Sequence, residues 1–140
     1  SSLASLPAMI ESARTRLGQP VGVVALVLPM AVSLFRITSP MQYLGAAIFV
    51  AWIYGIDVSA AHLAVATGLA VVLSLGAVGL PGQVSFMAAT MPVTSAMGLP
   101  VEPLGLLLAV DTIPDVFATV GNVSADLVAT AIVARAPDSN

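Results

Sequence analysis

The chain has 140 residues, 59% of them hydrophobic and only 8% charged, with a net charge of -3. A soluble domain carries about 25% charged residues, so four basic and seven acidic side chains are too few to cover a water-facing surface of this size. No basic patch is available for nucleic acid, and the absence of cysteine excludes disulfides and thiolate metal sites.

The few charges are also unevenly spread. The 44 residues between Asp57 and Glu102 hold no Asp, Glu, Lys or Arg, and neither do the 20 between Arg36 and Asp57. Apolar runs of 18 residues or more are candidate membrane spans. The solvent implied for this chain is lipid. It begins at Ser1 with no signal-peptide pattern and reads as a piece of a longer protein.

Residues 1–17, "SSLASLPAMIESARTRL", predict a moderately polar helix, closed by "GQP". Residues 20–34 are apolar and run into "FRITSP", where Arg36, Thr38, Ser39 and Pro40 interrupt them; "MQYLGAAIFVAWIYGI" follows. Each piece falls short of the roughly 20 residues needed to cross alone. Residues 20–56 together predict one crossing broken in the middle. Trp52 and Tyr54 beside Asp57 suit an interfacial aromatic belt, and His62 suits the same interface.

Residues 59–98 hold two apolar arms around "GAVGLPG", which has the chemistry of a turn. Two readings fit. One is a re-entrant hairpin, tolerated at membrane depth only when buried in protein or lining a wet cavity. The other is a short external turn between two tilted spans. Gly45, Gly68 and Gly98 are expected to permit close helix contact, and Met87, Met91 and Met97 to pack. Arg14 and Arg16 precede the broken crossing and Arg135 follows the last helix. Positive residues favour the cytoplasm, which places both ends inside and the Asp57 and Glu102 loops outside.

Residues 101–135 predict a last helix, broken or bent near Pro114 and Gly121. Within it, "DTIPDVFATVGNVSADLVATAIVAR" keeps three acids in an apolar run. At about 100° per residue, Asp111, Asn122, Asp115, Asp126 and Thr119 fall within a stripe of roughly 80°. A charge at the bilayer centre costs several kcal/mol, so this face meets a cavity, a partner charge or an ion rather than lipid. Asn122 and Asp126 offer hard oxygen ligands to a small cation or a proton, and Asp115 with Thr119 could hold a polar substrate. No nucleophile–base pair, phosphate-binding loop or metal cluster spacing is present, so no enzyme chemistry is expected.

"GNVSADLVATAIVAR" resembles the last transmembrane helix of the dicarboxylate/amino acid:cation symporters, the glutamate–aspartate transporter family. "LGAVGLPG" resembles the tip of that family's second re-entrant hairpin, "SSLASLP" the serine-rich tip of the first, and "LVLPMAVSLF" the start of its broken seventh helix. The resemblance implies an all-α membrane protein of re-entrant helical hairpins and broken transmembrane helices, the C-terminal half of a glutamate-transporter-like transport core. Residues 1–17 would be the second arm of hairpin 1, 20–56 helix seven, 59–98 hairpin 2 and 101–135 helix eight. It further implies missing N-terminal scaffold helices, a homotrimer, and a multi-pass position in the plasma (cell inner) membrane.

The implied activity is secondary active transport of a small anionic organic solute, a dicarboxylate or an acidic or neutral amino acid. Na+ or H+ would be the coupling ion, with no other cofactor. By resemblance, Ser2, Gly79, Leu80, Asp115, Thr119 and Asn122 fall at the substrate site, and Asn122 and Asp126 match sodium ligands. The backbone around Ser33, Ser74, Leu75 and Ala77 matches a second cation site. The family's helix-seven signature, Asn-Met-Asp-Gly-Thr, is replaced by Phe35, Arg36, Ile37, Thr38 and Ser39, and its helix-eight Arg by Ala118. Only Ser39 keeps a hydroxyl there. Arg36 can stand in for the lost charge, toward a substrate carboxylate or toward Asp115 or Asp126, because an Arg fork pairs carboxylates bidentately. Fewer ions, protons or exchange are all open. The alternative is a degenerate, non-transporting homologue with a structural role.

Overall fold

The structure, a computed structural model, describes residues 2–76 and 82–135. The described residues form seven helices and no strand: α1 (Ser2–Thr15), α2 (Val21–Leu34), α3 (Ser39–Tyr54), α4 (Ala60–Gly76), α5 (Gly82–Ala96), α6 (Leu104–Val110) and α7 (Thr112–Arg135). In lipid the backbone must satisfy its own polar groups, and a helix does so within one segment. Even β-branched runs such as Val21–Leu34 are therefore helical.

The chain divides into two compact units, Ser1–Ile37 with Thr119–Asn140, and Thr38–Ala118. In the first, Met9 and Ala13 of α1 pack with Val24, Leu28 and Val32 of α2, and Leu6, Ile10, Val123 and Leu127 lie against them. The buried residues recur every fourth position, one stripe per helix. Between α1 and α2 the chain turns at Gly18, whose φ of 62° favours glycine. The turn is closed by Leu17 N–H donating to Ser12 O (3.1 Å) and Gln19 N–H to Ala13 O (3.0 Å).

In the second unit α3, α4 and α5 pack against one another around Tyr43, Ala47, Ala51, Ala66, Ala70, Ala89, Val93 and Met97, with Leu104 of α6 in the same core. Small residues dominate this seam, which lets helix backbones approach where no hydrophobic effect drives them together. Ser59 caps α4, its Oγ accepting the His62 N–H at 3.2 Å. Gly98 ends α5 with a φ of 70°. At Gly45, Gly68 and Gly98 an added Cβ would meet nothing within 4 Å. The expected close contacts there are absent among the described residues.

α2 and α3 are separated by Phe35, Arg36, Ile37 and Thr38. Among the described residues, 21–54 and 112–135 are the two stretches long and apolar enough to cross a membrane. The outward side chains agree with lipid. Trp52 is 75% exposed and Phe117 73%, while Asp126 is 1% and Asn122 3% exposed. A soluble protein has the opposite arrangement.

Of the two places where the last helix was expected to break or bend, the one near Pro114 is found and the one at Gly121 is not. The helix is interrupted at Asp111, between α6 and α7, and continues unbroken through Gly121. Pro114 lacks an N–H, and its ring crowds the carbonyl four residues earlier, that of Val110. The interruption therefore falls one turn before the proline.

Candidate functional site

The functional side chains are set out by α7. Its buried residues are Asn122, Asp126 and Thr130. Asp111, just before it, is 3% exposed, and Asp115 and Thr119 are half-buried. Ile113, Val116, Phe117, Val120, Val128 and Ile132 are exposed. The helix thus hides its polar stripe and shows its apolar face. Thr130 extends the stripe by one more turn, and its hydroxyl donates to the backbone O of Asp126 (2.8 Å).

In the unit Thr38–Ala118, two acids have identified surroundings. Gln42 Nε2 of α3 donates to Asp111 Oδ1 at 2.7 Å. Asp115 lies against the first residue of α5: a Cβ on Gly82 would stand 3.2 Å from Asp115 Oδ2. A side chain at that position would make the contact tight, so the carboxylate would have to give by a few tenths of an ångström. The place is also favourable, because a helix N-terminus carries partial positive charge. Thr38 Oγ1 donates to the Ala118 carbonyl at 2.8 Å, tying the chain between α2 and α3 to α7. Ser39, at the start of α3, is buried, and so is Ser74, whose hydroxyl donates to Val71 O at 2.7 Å. Leu75 is 49% exposed.

In the other unit Ser2 starts α1 and is half-buried, as are Ser33 and Arg36. The Ser33 hydroxyl donates to Pro29 O at 2.8 Å. Phe35 and Ile37, on either side of Arg36, are exposed. Among the described residues, Asp126 is buried and neither of its carboxylate oxygens has a hydrogen-bond partner. A buried carboxylate without a donor is held at a cost of several kcal/mol, which a cation or a proton removes. No group of three or more His, Cys, Asp or Glu side chains gathers among the described residues. A cation at Asp126 would therefore rely on amide and carbonyl oxygens beside the one carboxylate, a hard set suited to a small ion.

Gly79, Leu80 and Ala77 lie outside the described residues. Three participants were not evident from the sequence: Gln42, Gly82 and Thr130. Gln42 is the only amide side chain in α3, which is a signal of a buried polar contact, and Thr130 falls about 100° around the wheel from Asp111, next to the stripe.

Described residues that are all helical or loop, with Asp111 and Asp126 buried while Trp52, Leu106 and Phe117 face outward, fit a membrane protein. Comparison with known proteins gives the family. The sequence belongs to the Sodium:dicarboxylate symporter family, which matches residues 1–136. It is similar to Excitatory amino acid transporter 3 of Mus musculus, 32% identical over 96% of this chain and 25% of the transporter. It is also similar to the Proton/glutamate-aspartate symporter of Escherichia coli (strain K12), 33% identical over 96% of this chain and 30% of the relative. The Proton/sodium-glutamate symport protein of Bacillus subtilis (strain 168) is 30% identical over 96% of this chain and 31% of the relative. The chain spans less than a third of the length of each of these relatives. No solved structure matches it significantly.

Proposed function

We propose that this chain is the C-terminal part of the transport core of a cation-coupled symporter for a small anionic organic solute. The observation that carries the reading is Asp126, a buried carboxylate with no hydrogen-bond partner among the described residues, on a helix whose hidden face also bears Asn122 and Thr130. Such a group at membrane depth is an ion or proton site before it is anything else. Asn122 and Asp126 take the coupling ion, Na+ or H+, with the backbone near Ser33, Ser74, Leu75 and Ala77 as a second cation position.

Asp115, which lies beside the α5 N-terminus, and Thr119 take the polar groups of the solute. Ser2, Ser39, Gly79 and Leu80 complete that site from the hairpin tips and the broken helix, and Arg36 pairs a substrate carboxylate. In this reading residues 1–17 and 59–98 are hairpin arms, residues 20–56 and 101–135 are helices seven and eight, and scaffold helices and a homotrimer complete the transporter in the plasma membrane. Acidic amino acids or dicarboxylates are the solutes, which accords with what the relatives are named for transporting.

The test is uptake of labelled dicarboxylates and amino acids by the full-length protein in proteoliposomes, under sodium and proton gradients in turn. Gradient-driven uptake supports the reading. Folded protein that accumulates no solute under any gradient refutes it.

A second reading, a non-transporting homologue, is favoured by Phe35 and Ile37, apolar side chains that point outward beside Arg36. On that reading Phe35→Asn, Ile37→Asp and Ala118→Arg together leave the protein inert; acquired uptake counts against it.

A further inference from the structure

One polar pocket lies away from the stripe of acids. At the arginine-bearing end of the unit formed by Ser1–Ile37 and Thr119–Asn140, a cavity of about 260 Å³ is lined by Leu17, Gly18, Gln19, Pro20, Ala131, Ala134 and Arg135. At ~30 Å³ per water, that is room for several waters or for one small polar group.

Gln19 is 9% exposed, and among the described residues neither its Nε2 nor its Oε1 has a partner. Leaving both ends of a buried carboxamide unpaired is costly, so the geometry calls for something that both accepts and donates. The cavity also reaches the start of α2. Pro20 caps that helix and offers no side-chain hydrogen bond. The first α2 amide held by an intrahelical-type bond is Val24 N–H, which donates to Pro20 O at 3.0 Å. The amides of Val21, Gly22 and Val23 precede it, at the positive end of a 14-residue helix.

Charge points the same way. Arg135 lines the cavity, and no acid does among the described residues. Arg14 and Arg16 flank it in sequence, with Glu11 as the one acid on α1. The terminal carbonyls of α7 weaken the positive field, and Arg135 stands where it offsets them. Beside the cavity, Val21, Ile132 and Val133 are exposed apolar side chains, suited to hydrocarbon rather than to water.

We propose that this cavity is a binding site for a phosphate-bearing group, the headgroup of an anionic phospholipid. The phosphate meets Arg135, Gln19 Nε2 and the α2 N-terminus, and a headgroup hydroxyl donates to Gln19 Oε1. Bare inorganic phosphate shares the first set of contacts. The acyl chains run along Val21, Ile132 and Val133. This site is separate from the transport reading and stands without it.

The test uses the full-length protein in phosphatidylcholine nanodiscs with and without phosphatidylglycerol, read by lipid retained in native mass spectrometry and by thermal unfolding. A detergent arm adds inorganic phosphate alone. Retained phosphatidylglycerol and a raised unfolding temperature are expected. Arg135→Ala weakens retention about tenfold, the size of one charge-assisted hydrogen bond. Gln19→Glu, close to Gln in shape, repels the phosphate, and Arg135→Lys restores part of the binding. If inorganic phosphate alone reproduces the shift and competes with the lipid, the site stands and its ligand is the free anion. Equal retention of both lipids in the wild type, or binding unchanged in Arg135→Ala and Gln19→Glu, overturns it.

Discussion

The Asp115 carboxylate rests against Gly82, the first residue of α5: a Cβ at that glycine would come within 3.2 Å of Asp115 Oδ2. The contact joins an acid of the α7 stripe to the end of the helix that follows the glycine-rich segment. A contact of that length is tight, so one of the two groups must move when a methyl is added.

Gly82→Ala is therefore expected to displace Asp115 and raise the KM for uptake several-fold. In an Asp115→Ala background the same methyl has nothing to push. The two substitutions should show a coupling of about 1 kcal/mol in a double-mutant cycle. Additive effects on KM would mean that Asp115 does not act through its place beside Gly82.

Gln42 holds the buried Asp111 by one half-buried hydrogen bond of 2.7 Å. Gln42→Leu leaves the carboxylate without that donor and should destabilise the protein by about 1–3 kcal/mol. Thermal unfolding in detergent checks this. Gln42→Leu combined with Asp111→Leu should recover much of the loss, because removing both partners is far milder than orphaning one.

Asp126→Asn removes a buried charge that lacks a donor. Stability should hold or rise, while the dependence of uptake on the cation gradient weakens or disappears. Wild-type gradient dependence in this variant, measured in proteoliposomes, would remove Asp126 from the ion site.

Arg36→Ala should raise the KM for dicarboxylates about tenfold or more, as loss of a charged hydrogen-bond partner does, with less effect on a monocarboxylate. Equal effects on both, together with a lowered unfolding temperature, would assign Arg36 a structural ion pair instead.

The sequence made the polar stripe legible because polar residues are rare in it and α7 keeps a regular helical period. Asp126 and Asn122 are buried and Ile113 and Phe117 outward, as the wheel requires. Other features depend on through-space partners that no period encodes. Gln42 and Asp111 are 69 positions apart, so their hydrogen bond could not be read from spacing. The glycines show the same limit. Gly45 and Gly68 have free room, whereas Gly82, which looked like part of a turn, is pressed against a side chain. The interruption near the last helix was displaced for a local reason: Pro114 disturbs the carbonyl one turn before it rather than its own position. The segment around Gly79 and Leu80 lies outside the described residues, and its hairpin reading rests on sequence.

The central claim is that the α7 stripe meets water, ion or solute inside the protein while its other face meets lipid. This chain has no cysteine, so single cysteines can be placed along α7 in a cysteine-free version of the full-length protein and labelled in proteoliposomes with a membrane-impermeant thiol reagent. Thr119→Cys, Asn122→Cys and Asp126→Cys should react, with Thr119→Cys protected by solute, while Val116→Cys, Val120→Cys and Val128→Cys should not react. Labelling of the second set with silence in the first would contradict the account.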